Sequence, residues 1–435
     1  PPGAYGGGGV TEPIVADLAV VGLGPAGVAA VVRAVDSGAR VVALDEGLGP
    51  GGQIWRHQDE SADALPASAR RWTSRLLALP TSRCRILRRT TVVDAPAPGM
   101  LAAVKDDEPL RIQARATILA TGARERFLPF PGWTLPGVLG VGGAQALVKS
   151  GAVVAGLRVV VAGSGPLLLP VAATWARAGA RVVCVAEQAP LARVARFAAA
   201  LAAHPSKIRE ALAYRTAFAA SPYRLGSWVS EARAATGGTL VVTLADGGRP
   251  RDLSCDVLAC GFGLLPNLEL ARLLGCRVDE GAVAVDDQQC TSVSGVFAAG
   301  EACGVGGADL ALVEGEIAAC AAVGKAEGAG RVLAARRRRL RSFARRLERA
   351  FALRDEVRSL ARPDTLVCRC EDVALSRLRR EWTPRQAKLY TRVGMGPCQG
   401  RVCGAALETI FGWPPDTVRP PLYPVRLDAL KEADA

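Results

Sequence analysis

The sequence predicts an α/β protein of two βαβ-based domains, the second inserted into the first, followed by a small helical domain bearing clustered cysteines. Three observations predict it. The run DLAVVGLGPAGVAAVVRAVDSGARVVALDE (17–46) reads strand, tight turn, helix, strand, and LRVVVAGSGPLLLPVAATWARAGARVVCVAE (157–187) repeats the pattern. Three further apolar runs end in glycine turns: ARATILATGAR (114–124), SCDVLACGFG (254–263) and TSVSGVFAAGEA (291–302). Half of the 435 residues are hydrophobic but only 5% are aromatic, a mix that suits Val-rich parallel strands covered by Ala-rich helices. These runs place one domain at 11–135 plus 265–330 and the inserted one at 150–260. An Arg-rich linker helix follows at 331–362, and the cysteine-bearing domain at 363–435.

The first ten residues, PPGAYGGGGV, read as a flexible leader, with no basic-then-apolar signal peptide. In the first βαβ, Gly22-x-Gly24-Pro25-Ala26-Gly27 follows an apolar strand and opens a helix. Gly22 permits the tight turn, Gly24 lets a pyrophosphate approach the backbone, and Gly27 lets the helix pack on the strand. The phosphates would sit on the helix N-terminus, where free N–H groups favour an anion. Asp45, followed by Glu46, ends the next strand 23 residues after Gly22, where a carboxylate can accept from a ribose hydroxyl. Together these predict a Rossmann-like dinucleotide site. The following GPGGQIWRH (49–57) has paired glycines that let a chain run close under a cofactor. His57, one of two histidines, is read as a hydrogen-bonding surface residue rather than a catalyst.

The second βαβ is a degenerate copy. Gly163 and Gly165 are present, but Leu168 takes the third position, and Glu187 ends the second strand. An adenine nucleotide can be accommodated there, with Glu187 favouring an unphosphorylated ribose. The eighteen uncharged residues between Arg158 and Arg177 include Gly163, Gly165, Pro166 and Pro170, so a strand, turn and helix explain them better than a membrane span.

The net charge of +13 invites a nucleic-acid reading. However, residues 331–362 hold twelve Arg and three acids and alone supply +9 of it. Leu333, Leu340 and Leu347, with Phe343, Ala350 and Val357, repeat at heptad spacing, so one face of this helix packs. Its basic face lacks stacking aromatics or a recognition motif and is read as solvated or as contacting an acidic subunit. No nucleic-acid partner is expected.

Eight of the twelve cysteines are scattered singly, which suits a reducing compartment. The other four form Cys368-x-Cys370 and Cys398-x4-Cys403, and four thiolates from two short loops can close one metal site. Zinc knuckles space their cysteines by two to four residues. Iron–sulfur clusters accept varied spacings, so a [2Fe–2S] cluster fits better, with zinc or no metal as alternatives.

Several motifs in order carry a resemblance: ATGARER (120–126), PFPGWTLPGVLG (129–140), GSGPLLLP (163–170), AAGEACGVGGADLALVEGEIA (298–318) and CRCEDV…TRVGMGPCQGRVCG (368–404). After residue 15 nearly the whole chain resembles the FAD/NAD(P)-binding α subunits of multi-subunit amino-acid dehydrogenases, the opine oxidase, hydroxyproline dehydrogenase and hydrogen cyanide synthase systems. The last motif is similar to the small [2Fe–2S] fold of bacterioferritin-associated ferredoxin. The resemblance implies FAD along Gly22, Gly24, Pro25, Ala26, Gly27, Asp45, Glu46, Gly52, Gln53, Ala120, Thr121, Gly122, Gly300 and Glu301. Broader flavoproteins have Gly-Asp where this chain has Gly300-Glu301. No cysteine pair stands outside 368–403, so disulfide reduction is not expected.

What the resemblance implies for function is an electron-transfer flavoprotein/iron–sulfur subunit. A partner FAD-dependent amino-acid oxidase-like subunit would oxidise an amino or imino acid of opine, hydroxyproline or glycine type at its C–N bond. FMN at an interface between subunits, together with a small ferredoxin-like subunit, completes the implied assembly. It is expected in the cytoplasm, reaching the inner membrane surface only through the complex. The alternative is a stand-alone NAD(P)H-dependent FAD oxidoreductase using both nucleotide domains.

Overall fold

The computed structural model describes residues 12–56, 66–325, 330–413 and 418–429. The expected leader and His57 lie outside the described residues. The chain divides into two compact units. One comprises the described residues of Pro1–Ala123, Pro266–Ser342 and Val418–Ala435; the other, those of Arg124–Leu265 and Phe343–Thr417.

In the first unit a sheet runs in the order Cys84–Leu87, Val41–Leu44, Ile14–Val21, Glu108–Leu119, Met100–Lys105, Thr90–Ala97, and Val296–Ala298 also pairs with Glu108–Leu119. The strands around Ile14–Val21 are parallel, while Met100–Lys105 and Thr90–Ala97 add an antiparallel extension. Leu18 and Val20 face one core and Ala19 and Val21 the other, the alternation a strand covered on both faces requires. The helix Pro25–Asp36 contributes nine buried residues. Small side chains let it lie close to the sheet and to the helix Ala308–Ala322, where a Cβ on Gly315 would stand 2.0 Å from the Ala26 carbonyl oxygen.

In the second unit a five-stranded parallel sheet runs Tyr223–Leu225, Arg181–Glu187, Arg158–Gly163, Val257–Gly261, Val138–Gly140. A three-stranded antiparallel sheet, Trp228–Ala234, Leu240–Ala245 and Arg251–Cys255, joins it. The same unit contains the cysteine-bearing region. There Leu366–Cys368 pairs with Val373–Ala374, and the helices Pro384–Thr391 and Cys403–Phe411 follow. A capping box between Thr383 and Gln386 starts the first of these helices. Val367, Cys368, Val373, Ala387, Val393, Cys403 and Trp413 form its small core.

Two features differ from the sequence reading. The Arg-rich helix spans Gly330–Ala350 and stops there rather than running to residue 362. Beyond it, the Phe351 carbonyl accepts from Ser164 Oγ at 2.7 Å and the Ala352 carbonyl from Gln188 Nε2 at 3.3 Å. These long-range donors replace the next helical turn, and Val357 is buried from a separate short helix, Asp355–Arg358. Residues 418–429, assigned to the C-terminal domain in sequence, pack with the first unit. Leu422 is buried in its core and its N–H donates to the Val93 carbonyl at 2.8 Å. Among the described residues no helix is long and apolar enough to cross a membrane.

Candidate cofactor sites

The strand Ile14–Val21 ends in Gly22 at φ +98°, a backbone state that favours glycine. A Cβ there would also lie 2.3 Å from the Ala120 carbonyl oxygen, so the turn and the neighbouring strand meet only through glycine. A Cβ on Gly27 would stand 1.8 Å from the Gly22 carbonyl oxygen; this residue sets how closely helix and turn approach. Gly24 is different: nothing lies within 4 Å of where its Cβ would be. Two glycines of the motif therefore hold the turn, and the middle one leaves a cradle that a side chain would fill.

Asp45 closes this turn. One carboxylate oxygen accepts the Leu23 N–H and the other the Gly47 N–H at 2.7 Å. Each oxygen keeps a lone pair, so a ribose hydroxyl can still be received. The Gly51 N–H donates to the Leu23 carbonyl at 2.7 Å, and Gly52 comes so near that its Cβ would be 3.0 Å from the Gly24 Cα. Glu46 and Gln53 are exposed. Beside Ala120, Thr121 Oγ1 donates to the Asn267 carbonyl at 2.9 Å while Asn267 Nδ2 donates to the Thr121 carbonyl at 2.8 Å. Gly122, at φ +68°, has open space at its Cβ position.

Gly300 completes the ring. It sits at φ +74°, and its Cβ would be 2.8 Å from the Ala26 Cβ. Its N–H donates to Glu314 Oε2 at 3.0 Å. Glu314 is wholly buried, and Arg341 Nη2 lies 2.6 Å from its other oxygen. Burial pushes the Glu314 carboxyl upward and the arginines oppose it. Glu301 turns to its own loop: burial raises its carboxyl, and the Gly307 N–H donates to it. Asn267 and the Glu314–Arg341 pair were not anticipated; an acid inside the apolar helix Ala308–Ala322 was the available signal. The structure thus gathers Gly22, Gly24, Pro25, Ala26, Gly27, Asp45, Gly52, Thr121, Gly122 and Gly300 at the carboxyl ends of parallel strands, where such folds bind dinucleotides.

The second βαβ is furnished otherwise. Gly163 takes φ +140°, and its Cβ would be 1.7 Å from the Gly261 carbonyl oxygen. Leu168 begins the next helix and is fully buried in the core. Glu187 is 0% exposed; its oxygens accept the Gly165 N–H at 2.7 Å and the Ala189 N–H at 2.8 Å. Burial pushes its carboxyl up to about 7.

In the C-terminal region the four cysteines come together. The Cys403 thiol hydrogen-bonds both Cys368 and Cys398, and Cys398 also hydrogen-bonds Cys370. Cys403 heads the helix Cys403–Phe411. Backbone N–H groups of Gly394, Glu371 and Cys370 aim at the Cys368 sulfur, and those of Val402 and Gly400 at Cys398. The bond from Cys403 and these donors hold Cys368 down to about 6 and lower Cys398 too, while Cys403, the donor, is raised. A Cβ on Gly396 would be 2.4 Å from the Cys370 Cβ, so the two cysteine loops pack through glycine. Among the described residues no group of three or more His, Cys, Asp or Glu side chains is placed to hold a metal ion. The thiols form one group, with Cys370 near both Cys398 and Cys368 and Cys403 against Cys368 and Cys398. Four thiols gathered from two loops are the donor set that [2Fe–2S] clusters use. All twelve cysteines are free, and burial raises Cys84 and Cys255 to about 11.

Residues 16–324 match the pyridine nucleotide-disulphide oxidoreductase family. The chain is 33% identical to the A subunit of opine oxidase from Rhizobium meliloti, over 94% of this chain and 97% of that protein. It is 32% identical to hydrogen cyanide synthase subunit HcnB of Pseudomonas aeruginosa, over 88% of this chain and 90% of that one. Among solved structures, L-proline dehydrogenase from P. horikoshii superposes with a TM-score of 0.66 at 20% identity, covering 96% of this chain and 80% of the other, a likeness of fold.

Proposed function

The chain belongs to the pyridine nucleotide-disulphide oxidoreductase family, with HcnB and the A subunit of opine oxidase among its relatives, and on that premise we propose that it is the electron-transfer subunit of a multi-subunit amino- or imino-acid dehydrogenase. FAD is assigned to the crevice of Gly22, Gly24, Gly27, Asp45, Gly52, Thr121, Gly122 and Gly300, and a [2Fe–2S] cluster to Cys368, Cys370, Cys398 and Cys403. When bound, the flavin supplies two-electron chemistry and the cluster one-electron chemistry, a combination that joins C–N bond oxidation to a one-electron carrier. The observation that carries the reading is the group of four thiols on the same chain as an open glycine cradle.

The residues have distinct work in this reading. Asp45 fixes the turn while keeping lone pairs for a ribose. The reciprocal Thr121–Asn267 pair holds the strand end against the crevice. Glu314, paired with Arg341, holds the Gly300 N–H in place. Around the cysteines, N–H donors from 394, 400 and 402 stabilise negative sulfur, which favours the more reduced cluster.

The substrate-oxidising step belongs to a partner flavoprotein subunit, and further components are FMN at the interface and a small ferredoxin-like subunit. The test is anaerobic mixing of amino and imino acids with the isolated chain and with the chain co-purified with its partners. The flavin of the isolated chain should stay oxidised and that of the complex should bleach. Bleaching of the isolated chain by any of these substrates refutes the subunit reading. Bleaching by NADH alone would instead promote a stand-alone reductase.

A further inference from the structure

The family name implies a pyridine nucleotide as well as a flavin, and the second βαβ is where it would lie. The residues there do not fit it. In such a domain the pyrophosphate rests on the turn after the first strand, and the adenosine ribose reaches the end of the second. Here both positions are bonded to the protein's own chain. Ser164, inside the Gly163-Ser164-Gly165 turn, donates through Oγ to the Phe351 carbonyl at 2.7 Å. Gln188, directly after the second strand, donates through Nε2 to Ser164 Oγ at 2.9 Å and to the Phe351 and Ala352 carbonyls at 3.4 and 3.3 Å. Its Oε1 accepts the Arg354 N–H at 3.1 Å. Ser164 and Gln188 are 6% and 0% exposed, so both lie beneath the segment they hold.

We infer that residues 351–354 form a strap that closes the second nucleotide crevice, with Ser164 and Gln188 as the specificity-determining residues that exclude a pyridine nucleotide. Further contacts tie the strap down. Phe351 meets the Phe197 ring edge-on at 5.7 Å, and the Arg354 guanidinium lies 4.6 Å over the Trp228 ring. Arg193 donates to the Ala352 carbonyl at 3.1 Å. Downstream, Val357 is buried in the core of this unit. The cavity beside the strap holds about 300 Å³ and is lined by Pro190, Arg193, Leu353, Arg354, Asp355 and Glu356. That is the lower end of the range for small-molecule sites, and of its charged residues Arg354 is already paired with Glu356 at 2.6 Å. The Gly165 N–H is given to Glu187, but no atom lies within 4 Å of where a Gly165 Cβ would be, so the strap held by Ser164 and Gln188, and not the glycine turn, closes the crevice. A tethered segment competes with free nucleotide at high effective concentration, so ordinary NADH levels do not displace it.

The inference stands whether or not the cysteines hold iron and sulfide. Its test is equilibrium binding of NADH to the full chain and to a Ser164→Ala/Gln188→Ala variant, both checked for FAD content and thermal unfolding. The unaltered chain should show no saturable binding at millimolar NADH. The variant, with Leu168 still in place, should bind at least about tenfold more tightly, since freeing a blocked site raises apparent affinity by the fraction opened. Saturable binding to the unaltered chain overturns the inference, as does a folded variant that still fails to bind. Hydrogen exchange of the unaltered chain gives a second reading that needs no variant. The Arg354 amide should be protected, and NADH should leave exchange across 163–168 unchanged; added protection there overturns the strap.

Discussion

Glu187 Oε2 accepts the backbone N–H of Gly165 at 2.7 Å, so the acid ending the second strand of the inserted βαβ binds its own turn instead of facing solvent. Asp45 does the same for Leu23 in the first βαβ, but only half-buried. The same sequence element thus holds a half-buried acid in one copy and a wholly buried one in the other.

The burial of Glu187 sets a pH dependence. Its carboxyl is raised from 4.5 to about 7, with desolvation the main cause and the N–H bonds from Ala189 and Gly165 opposing it. Below pH 4.5 the group is protonated in both folded and unfolded chains, and its contribution is fully present. Between 4.5 and about 7 the unfolded chain ionises first, so stability falls by about 3 kcal/mol, at about 1.36 per pH unit. Tyr223 faces it and stays neutral throughout, its phenol raised by burial and by this carboxylate. Denaturant midpoints of the full chain from pH 4 to 8 should show this slope, and Glu187→Gln should flatten it.

Gly24 and Gly27 should separate cofactor loss from fold loss. Gly24→Val puts a side chain into empty space; flavin absorbance should vanish while the melting curve and any iron–sulfur spectrum persist. Gly27→Val drives a Cβ into the Gly22 carbonyl and should cost about 3 kcal/mol or more. Full flavin occupancy in the Gly24 variant would remove FAD from this crevice.

Replacing any one of Cys368, Cys370, Cys398 or Cys403 by Ser should abolish iron and acid-labile sulfide and loosen the small C-terminal core, with FAD retained. Cluster binding and folding are coupled in a core this small. Metal and sulfide analysis with EPR of the reduced, anaerobically prepared protein checks it. One zinc per chain without sulfide would defeat the cluster assignment.

Arg341→Ala strands the buried Glu314 with Arg337 alone, whose Nε is 3.6 Å away. Leaving a buried carboxylate this poorly paired should cost about 3 kcal/mol and lower FAD occupancy, because Glu314 also holds the Gly300 N–H. Adding Glu314→Gln should recover most of the stability by removing the charge. An unchanged melting temperature in the single variant would show that the pair contributes little.

Much of the first crevice was legible in the sequence because its demands are local. A turn with positive φ needs glycine wherever it occurs, a strand alternates with period two, and an acid one strand later falls at the same level of the sheet. The spacing of Cys368, Cys370, Cys398 and Cys403 likewise announced two loops that could share one site. What the tertiary structure alone decided are pairings between residues far apart in the chain. The helix end at Ala350 depends on Ser164 and Gln188, more than 160 residues earlier. The placing of Thr121 depends on Asn267, and that of Gly300 on Glu314 and, through it, Arg341. Periodicity and motif report which face of an element is apolar, but a single buried hydrogen bond carries no period. Whether a glycine turn receives a cofactor or the protein's own chain is settled only when the distant segment arrives.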